Sequence, residues 1–151
     1  MHKRDKLLSI IAEDVDSILE EPRGSNWGRA VKSLLAYVKI SFPAPWCAAY
    51  VCDRLDKAGL DNPVTGWTPG VLSWYSKRGR AGVKPAPGYL FFLYYPSLRR
   101  VGHVGFVESV KGDTVTTIEG NTNTDGSREG YAVCRRKRKL STIHTFAQTY
   151  V

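Results

Sequence analysis

Two residues of this sequence, Cys47 and His103, have the types and surroundings that nucleophilic chemistry needs. Cys47 follows the segment PAPW, whose prolines break a preceding helix, and opens the run CAAYVCDRLDKAGL, whose apolar residues recur at helical spacing. The thiol is therefore predicted to lie at a helix amino terminus, where unpaired N–H groups and the positive end of the helix dipole favour the thiolate. A thiolate is the form of cysteine that attacks a carbonyl carbon.

His103 lies in the glycine-flanked run GHVGFV, which has the pattern of a strand. Gly102 and Gly105 let another segment approach closely and are expected to leave the ring accessible. An imidazole beside a thiol takes its proton, and a third polar group then has to orient the charged ring. Glu119 and Asn121 are candidates for that group, because they stand two residues apart in IEGN and point to the same side of an extended chain.

Helices that would position the cysteine are indicated by apolar residues at helical spacing, by capping residues and by proline and glycine stops. They are predicted over residues 5–20, from a cap at Ser25 or Asn26 to Val38, from Cys47 to the stop at Gly59, and over residues 69–77. The third of these helices carries the candidate nucleophile in its first turn.

Strand patterns replace the helical ones after Gly88. The predicted strands are YLFFLYY (89–95), VGHVGFVESV (101–110), TVTTIEG (114–120), YAVCRRKRKL (131–140) and residues 142–151. The residues Lys111-Gly112-Asp113 predict a hairpin turn, which makes the strands of His103 and Glu119 neighbours. Helices followed by an antiparallel sheet, with no internal repeat and no linker, predict one α+β domain.

The composition limits the class of protein. A chain of 151 residues, 42% of them hydrophobic, is long enough for one domain with its own core. The formal net charge of +8 predicts attraction to an anionic partner, which could be nucleic acid, anionic lipid or a bacterial envelope. Acidic residues interrupt the apolar residues of the amino-terminal segment, so it does not read as a signal peptide, and no stretch reaches transmembrane length.

Five motifs of the sequence can be taken together: SNWGRAV (25–31), PWCAAYV (45–51), PAPG (85–88), GHVGFVESV (102–110) and TIEGNTN (117–123). With them the chain resembles the CHAP family, the cysteine- and histidine-dependent amidohydrolases and peptidases of the papain-like superfamily. The resemblance implies a papain-like fold with amino-terminal helices packed on a carboxy-terminal antiparallel sheet. It also implies a single catalytic domain over residues 1–151, in which residues 25–151 match the family and residues 1–22 add a helix.

In this resemblance Cys47 matches the family's nucleophile, His103 its base, Glu119 the residue that orients the histidine, and Asn121 an assisting polar group. The backbone N–H of Cys47 would contribute to the oxyanion hole. Family members cut peptidoglycan, either at the amide that joins the glycan to the stem peptide or within the peptide bridges, and many are phage endolysins or bacterial autolysins. The resemblance therefore implies a bacteriolytic thiol hydrolase whose partner is bacterial peptidoglycan, an anionic polymer that suits the charge of +8.

Two departures from the family pattern bear on these expectations. Tyr89 stands where the family has an aspartate after the proline-glycine pair. No acidic cluster of the kind found in calcium-binding relatives precedes Cys47, so we expect no metal and no cofactor. We also expect a monomer that binds no nucleic acid, does not insert stably into membranes, and accumulates in the host cytoplasm before its release to the cell wall.

The sequence leaves other functions open. One is a noncatalytic basic module that binds wall polymers or nucleic acid on the same fold. Another is a transamidase or acyltransferase, which shares the acyl-enzyme and differs only in whether an amine or water resolves it. Amidase and endopeptidase are not separated either, because the shape of the groove decides between them.

The remaining candidate residues have simpler roles. Cys52 and Cys134 are expected to be core thiols. Trp46 and Trp67 are expected to line a substrate groove. The basic run at residues 135–139 is expected on a solvated edge strand, with binding of a phosphate-bearing polymer as the alternative.

Overall fold

The computed structural model describes residues 1–122 and 130–151, and over these residues the helices precede the strands. The helices are α1 (Lys3–Asp14), α2 (Arg29–Tyr37), α3 (Cys47–Lys57) and α4 (Thr68–Ser76). The strands are β1 (Leu90–Tyr95), β2 (Arg100–Lys111), β3 (Thr114–Thr122), β4 (Ala132–Lys139) and β5 (Thr145–Ala147), with a 3₁₀ turn at Leu140–Thr142 before the last. The predicted α+β class is confirmed. Asn123, the end of the TIEGNTN motif, lies outside the described residues.

The strands form one antiparallel sheet in the order β4-β3-β2-β1-β5. A tight turn at Gly112 and Asp113 joins β2 to β3, as the sequence predicts, and Gly112 adopts the positive φ of +60° that such a turn favours. The hairpin brings the strand of Glu119 next to the strand of His103.

Alternate residues of the strands feed two buried clusters, one on each face of the sheet. Leu90 and Phe92 of β1 belong to the larger cluster, which also contains the buried faces of the helices. Phe91 and Leu93 belong to the smaller cluster, which includes Phe146 of β5. The larger cluster is the core that fixes the helices against the sheet.

The core surrounds α3 on all sides over its first two turns. Every residue from Cys47 to Asp53 is buried, and the helix packs against α2, β2 and β3. Ala48 and Ala49 have side chains small enough to admit these neighbours from several directions. The amino terminus of α3 is therefore held in a fixed position relative to the strands that carry His103 and Glu119.

α1 is shorter than the sequence predicts, since it ends at Asp14 and not at Glu20. Asp16 has a φ of +61°, outside the helical region. The chain then runs beside β4, where the Asp16 N–H donates to the Val133 carbonyl at 3.0 Å and the Glu20 N–H donates to the Tyr131 carbonyl at 2.8 Å. In this segment, hydrogen bonds to neighbouring backbone replace the hydrogen bonds of a helix. The helical spacing of apolar residues over 15–20 did not indicate this change.

Two other boundaries differ from prediction. α2 begins at Arg29 with Gly28 as its N-cap, because Ser25 is held in a turn by its bond to the Pro22 carbonyl and Asn26 adopts a positive φ of +54°. The last predicted strand shortens to the three residues of β5. No helix in the described part of the chain is both long and apolar enough to cross a membrane.

Candidate active site

Cys47 is the first residue of α3, as predicted, so its backbone N–H has no acceptor within the helix. The residue is 6% exposed. It reaches the surface through a groove with a volume of about 200 Å³, which Trp67, Thr68 and Arg100 also line. The Oγ1 atom of Thr68 lies 3.6 Å from the Cys47 Sγ. A thiol at a helix amino terminus thus faces a cavity that a substrate can enter.

His103 lies on β2 and is only 2% exposed, so the expectation of an accessible ring is wrong. Its Nε2 atom lies 2.8 Å from Glu119 Oε1, which leaves Nδ1 as the ring nitrogen free to interact with Cys47. Burial alone would lower the pKa of His103. Hydrogen bonds and negative charge from Cys47 and Glu119 outweigh burial and raise that pKa to about 9. These contacts therefore favour the charged imidazolium form of the ring.

The pKa of the Cys47 thiol is shifted in the opposite direction, downward. Burial raises its pKa, but the hydrogen bond and the positive charge of His103 lower it, with help from the Thr68 hydroxyl and the backbone of Val104. The net result is a pKa below the ordinary value of a cysteine. A lowered thiol pKa beside a raised imidazole pKa is the signature of a thiolate–imidazolium pair.

Glu119 lies behind the histidine and is fully buried. Besides His103 it accepts two hydrogen bonds from Arg138, from Nε at 2.6 Å and from Nη2 at 2.7 Å, and a third from the hydroxyl of Thr117. Burial raises the pKa of Glu119, but Arg138 and His103 lower it far below the usual range of a carboxyl group. The carboxylate is therefore ionised and held in place from three sides.

Asn121 does not join Glu119 at the histidine, although both residues were expected to point to the same side. A bulge in β3 lies between Glu119 and Thr122, and Asn121 adopts a φ of +58°. Its Oδ1 instead accepts the N–H of Trp46 at 2.9 Å, and its Nδ2 donates to the Gly130 carbonyl at 2.7 Å. Asn121 thus anchors the residue immediately before the nucleophile.

Two glycines make these close approaches possible. A Cβ atom on Gly105 would lie 2.6 Å from the Phe91 ring and 3.0 Å from Cγ of Glu119. A Cβ atom on Gly120 would lie 2.8 Å from the Trp46 ring and 3.0 Å from Tyr50. Gly105 leaves room for Glu119 on the adjoining strand, and Gly120 lets β3 lie directly against the start of α3.

The family model described as CHAP domain matches residues 39–121, which is more than half of the chain and contains Cys47, His103, Glu119 and Asn121. The chain belongs to the CHAP family. No curated protein matches the sequence.

Among solved structures, the CHAP chain is similar in fold to one described as "The crystal structure of Ly7917", with 19% identity and a TM-score of 0.53. The match covers 97% of this chain and 62% of that one, so the chain spans less than two thirds of Ly7917. A second structure, "The crystal structure of Ly7917 with the hydrolyzing product of MDP", has 19% identity, the same coverage and a TM-score of 0.48.

The two tryptophans expected in the groove of this CHAP domain have different positions. Trp46 is fully buried, and its Nε1 donates to the carboxylate of Glu20 at 2.8 Å. The expectation that Trp46 lines the groove is therefore wrong, because its ring packs in the core beside Tyr50. Trp67 lines the groove as expected and is 60% exposed.

Sequence reasoning missed two residues of the site, Arg138 and Thr68. Arg138 falls within the basic run at residues 135–139, and β4 is an edge strand as expected, yet the side chain of Arg138 turns inward to Glu119 with 12% exposure. Side chains alternate between the two faces of a strand, and residues 135, 137 and 139 are exposed, so the alternation could have indicated that Arg138 faces inward. Thr68 immediately precedes the helix predicted over residues 69–77, and the sequence indicated no role for it at the site.

The other two cysteines are buried, which confirms the prediction of core thiols. Burial raises the pKa of Cys52 to about 11, and it also raises the pKa of Cys134. Their pKa values are therefore shifted in the direction opposite to that of Cys47. Within the described residues, no group of three or more His, Cys, Asp or Glu side chains is placed to hold a metal ion.

Proposed function

We propose that this CHAP domain is a peptidoglycan hydrolase that cleaves an amide bond through an acyl-enzyme on Cys47, as an amidase or endopeptidase of the phage endolysin type. The observation that carries the proposal is the pairing of Cys47, which opens α3 and lines a groove, with His103, which lowers the pKa of the thiol and is itself held by Glu119. Such a pair has a nucleophile that needs no further activation and an acid for the leaving group.

The proposed reaction begins when the Cys47 thiolate attacks the amide carbonyl carbon. The oxygen gains negative charge, and the free N–H of Cys47 at the start of α3 donates a hydrogen bond to it. His103 passes its proton to the amide nitrogen, the C–N bond breaks, and the amine leaves while a thioester remains on Cys47. A water molecule then gives a proton to His103 and attacks the thioester, which releases a carboxylic acid and restores the thiolate.

Glu119 and Arg138 have supporting roles in this scheme. The Glu119 carboxylate holds Nε2 of His103, so the other ring nitrogen faces the thiol throughout the cycle. Arg138 keeps the carboxylate ionised and fixed without contact to the reacting atoms. The substrate class rests on the family, whose members cut peptidoglycan, and the net charge of +8 suits that anionic polymer.

The test compares the wild-type chain with Cys47→Ala and Cys52→Ala on peptidoglycan isolated from several bacterial classes. We expect wild type and Cys52→Ala to clear the suspension and Cys47→Ala to leave it turbid. Mass spectrometry of the fragments identifies the new termini, which separate amidase from endopeptidase, and an added amine acceptor reveals any transamidase activity. Equal clearing by Cys47→Ala, or no cleavage of any wall by the wild type, would contradict the proposal.

A further inference from the structure

Arg100 brings a positive charge into the groove of the nucleophile. It is the first residue of β2 and is half-buried. It lines the same groove of about 200 Å³ as Cys47, and the other lining residues, which include Trp67 and Thr68, are apolar or uncharged. No aspartate or glutamate of the described residues lines this groove. Arg100 is therefore the one cationic side chain among the described residues that line the groove.

The guanidinium of Arg100 is available to a ligand. Its Nη1 donates to the Val101 carbonyl at 3.0 Å. Within the described part of the chain no carboxylate forms an ion pair with it, whereas Arg138 and Arg135 each bind a glutamate through two nitrogens. The Nε and Nη2 groups, which form one edge of the planar fork, make no hydrogen bond to the described residues.

We infer that Arg100 binds a carboxylate of the substrate, so that the groove selects peptide amides with a carboxylate-bearing residue next to the bond that is cleaved. This inference rests on the proposed function and adds a specificity to it. A guanidinium edge matches the two oxygens of a carboxylate, and such charge-assisted pairs are stronger than neutral hydrogen bonds. A carboxamide in the same place has one oxygen and no charge.

The size of the groove agrees with a ligand of this kind. Drug-sized ligands occupy pockets of roughly 300–1,000 Å³, and this groove is smaller, at about 200 Å³. A groove of this size accommodates one residue of the substrate beside the reacting amide. Trp67, with 60% exposure, offers an apolar wall against which the aliphatic part of that residue packs.

The experiment uses pairs of synthetic stem-type peptides that differ only in a carboxylate or a carboxamide next to the scissile amide, on its acyl side or on its amine side. kcat/KM is measured for the full chain and for Arg100→Gln. Arg99→Gln is the control, because Arg99 carries the same charge on the adjacent exposed turn and does not line the groove.

For one of the pairs, wild type and Arg99→Gln should prefer the carboxylate by about tenfold, mainly through KM, as expected for loss of one partly solvated charged hydrogen-bond pair. Arg100→Gln should reduce that preference to about onefold. An unchanged preference in Arg100→Gln, or no preference by wild type on either side of the amide, would overturn the inference.

A binding measurement separates this inference from the proposed function. Calorimetric titration of Cys47→Ala with the same peptides reports recognition without cleavage. If the wild type cleaves no peptide but Cys47→Ala binds the carboxylate form more tightly and Cys47→Ala/Arg100→Gln does not, the hydrolase proposal fails and the carboxylate site stands. If cleavage occurs and neither kcat/KM nor binding distinguishes carboxylate from carboxamide, the hydrolase proposal stands and the carboxylate site is refuted.

Discussion

Arg138 donates two hydrogen bonds to the buried carboxylate of Glu119, at 2.6 and 2.7 Å, and one of them shares the oxygen Oε1 with Nε2 of His103. A lone carboxylate at 0% exposure would lose its hydration and take up a proton. The guanidinium prevents this, because its two N–H groups and its charge compensate the carboxylate for the lost water. The orientation of His103 by an ionised Glu119 therefore depends on a residue at the far end of the neighbouring strand.

Replacing Arg138 by glutamine should destabilise the protein by about 3 kcal/mol, the scale observed when one partner of a buried ion pair is removed. It should also change the response to acid. The folded-state pKa of Glu119 is depressed, so this group contributes stability above its unfolded pKa and loses it as the pH falls through the folded pKa. Without Arg138 the folded pKa rises toward the unfolded value, so the contribution of Glu119 is smaller and its loss is complete at a higher pH. Thermal unfolding followed from neutral to acid pH measures both effects.

Arg135→Gln is the matched control for that experiment. Arg135 binds Glu108 through the same two nitrogens, at 2.7 and 2.9 Å, but 45% of its side chain is exposed. Exposed pairs contribute less than about 1 kcal/mol. Equal losses of stability in the two variants would show that the burial of Glu119 does not increase the contribution of Arg138 to the free energy of unfolding.

The Cys47 thiolate should react with iodoacetamide at pH values where ordinary thiols, with a pKa of about 8.5, are protonated. As the pH rises through about 9, His103 loses its proton. Alkylation should then persist, because the thiolate remains, whereas amide hydrolysis should decline, because no acid is left for the leaving amine. Mass spectrometry of the alkylated peptides against pH, together with hydrolysis rates, measures both.

Two comparisons sharpen the alkylation experiment. Cys52 in the same protein has a pKa raised to about 11 by burial, so it should react only under more alkaline conditions. In His103→Ala, burial of Cys47 is no longer offset by the imidazolium, so its alkylation should shift to higher pH. If Cys47 of the wild type titrates like a free cysteine, the thiolate–imidazolium pair is absent.

The sequence predicted the helix that begins at Cys47 and the hairpin after β2, because each depends on local patterns. The hairpin left Glu119 and Asn121 as alternative partners of His103, and the family resemblance indicated Glu119, which lies at the ring in the structure. It did not predict the positions of Arg138 and Asn121. The basic run at residues 135–139 was expected to be solvated, but the alternation of side chains along β4 directs Arg138 inward to Glu119. Asn121 was assigned by assuming a regular strand, and the bulge in β3 redirects its side chain.

Asn121→Gly should reduce stability by about 1–3 kcal/mol, because the buried N–H of Trp46 loses its acceptor. Glycine is suitable here since it tolerates the φ of +58° at this position. The pH dependence of Cys47 alkylation should stay as in the wild type, because Glu119 and not Asn121 holds the histidine. Glu119→Gln is the comparison, since loss of its charge should lower the pKa of His103 and change that profile. A changed profile in Asn121→Gly would assign the histidine-orienting role to Asn121 as well.

Gly120→Ala tests the close approach of β3 to the start of α3. The added methyl group would lie 2.8 Å from the Trp46 ring and 3.0 Å from Tyr50, and both rings are fixed in the core. Overpacking of this kind destabilises proteins by about 1–3 kcal/mol, and here it would also move Glu119 away from the helix that carries Cys47.

Gly70→Ala is the control for Gly120→Ala. Gly70 lies in α4, and a methyl group there would meet its nearest neighbour at 3.4 Å, which is an ordinary contact. Alanine is favoured over glycine in a helix by up to about 1 kcal/mol, so this variant should match or exceed the wild type in stability. Urea unfolding of both variants gives the two free energies, and hydrolysis rates measured well below the transition report the site. If Gly120→Ala is as stable and as active as Gly70→Ala, the contact between β3 and Trp46 is not what positions Glu119.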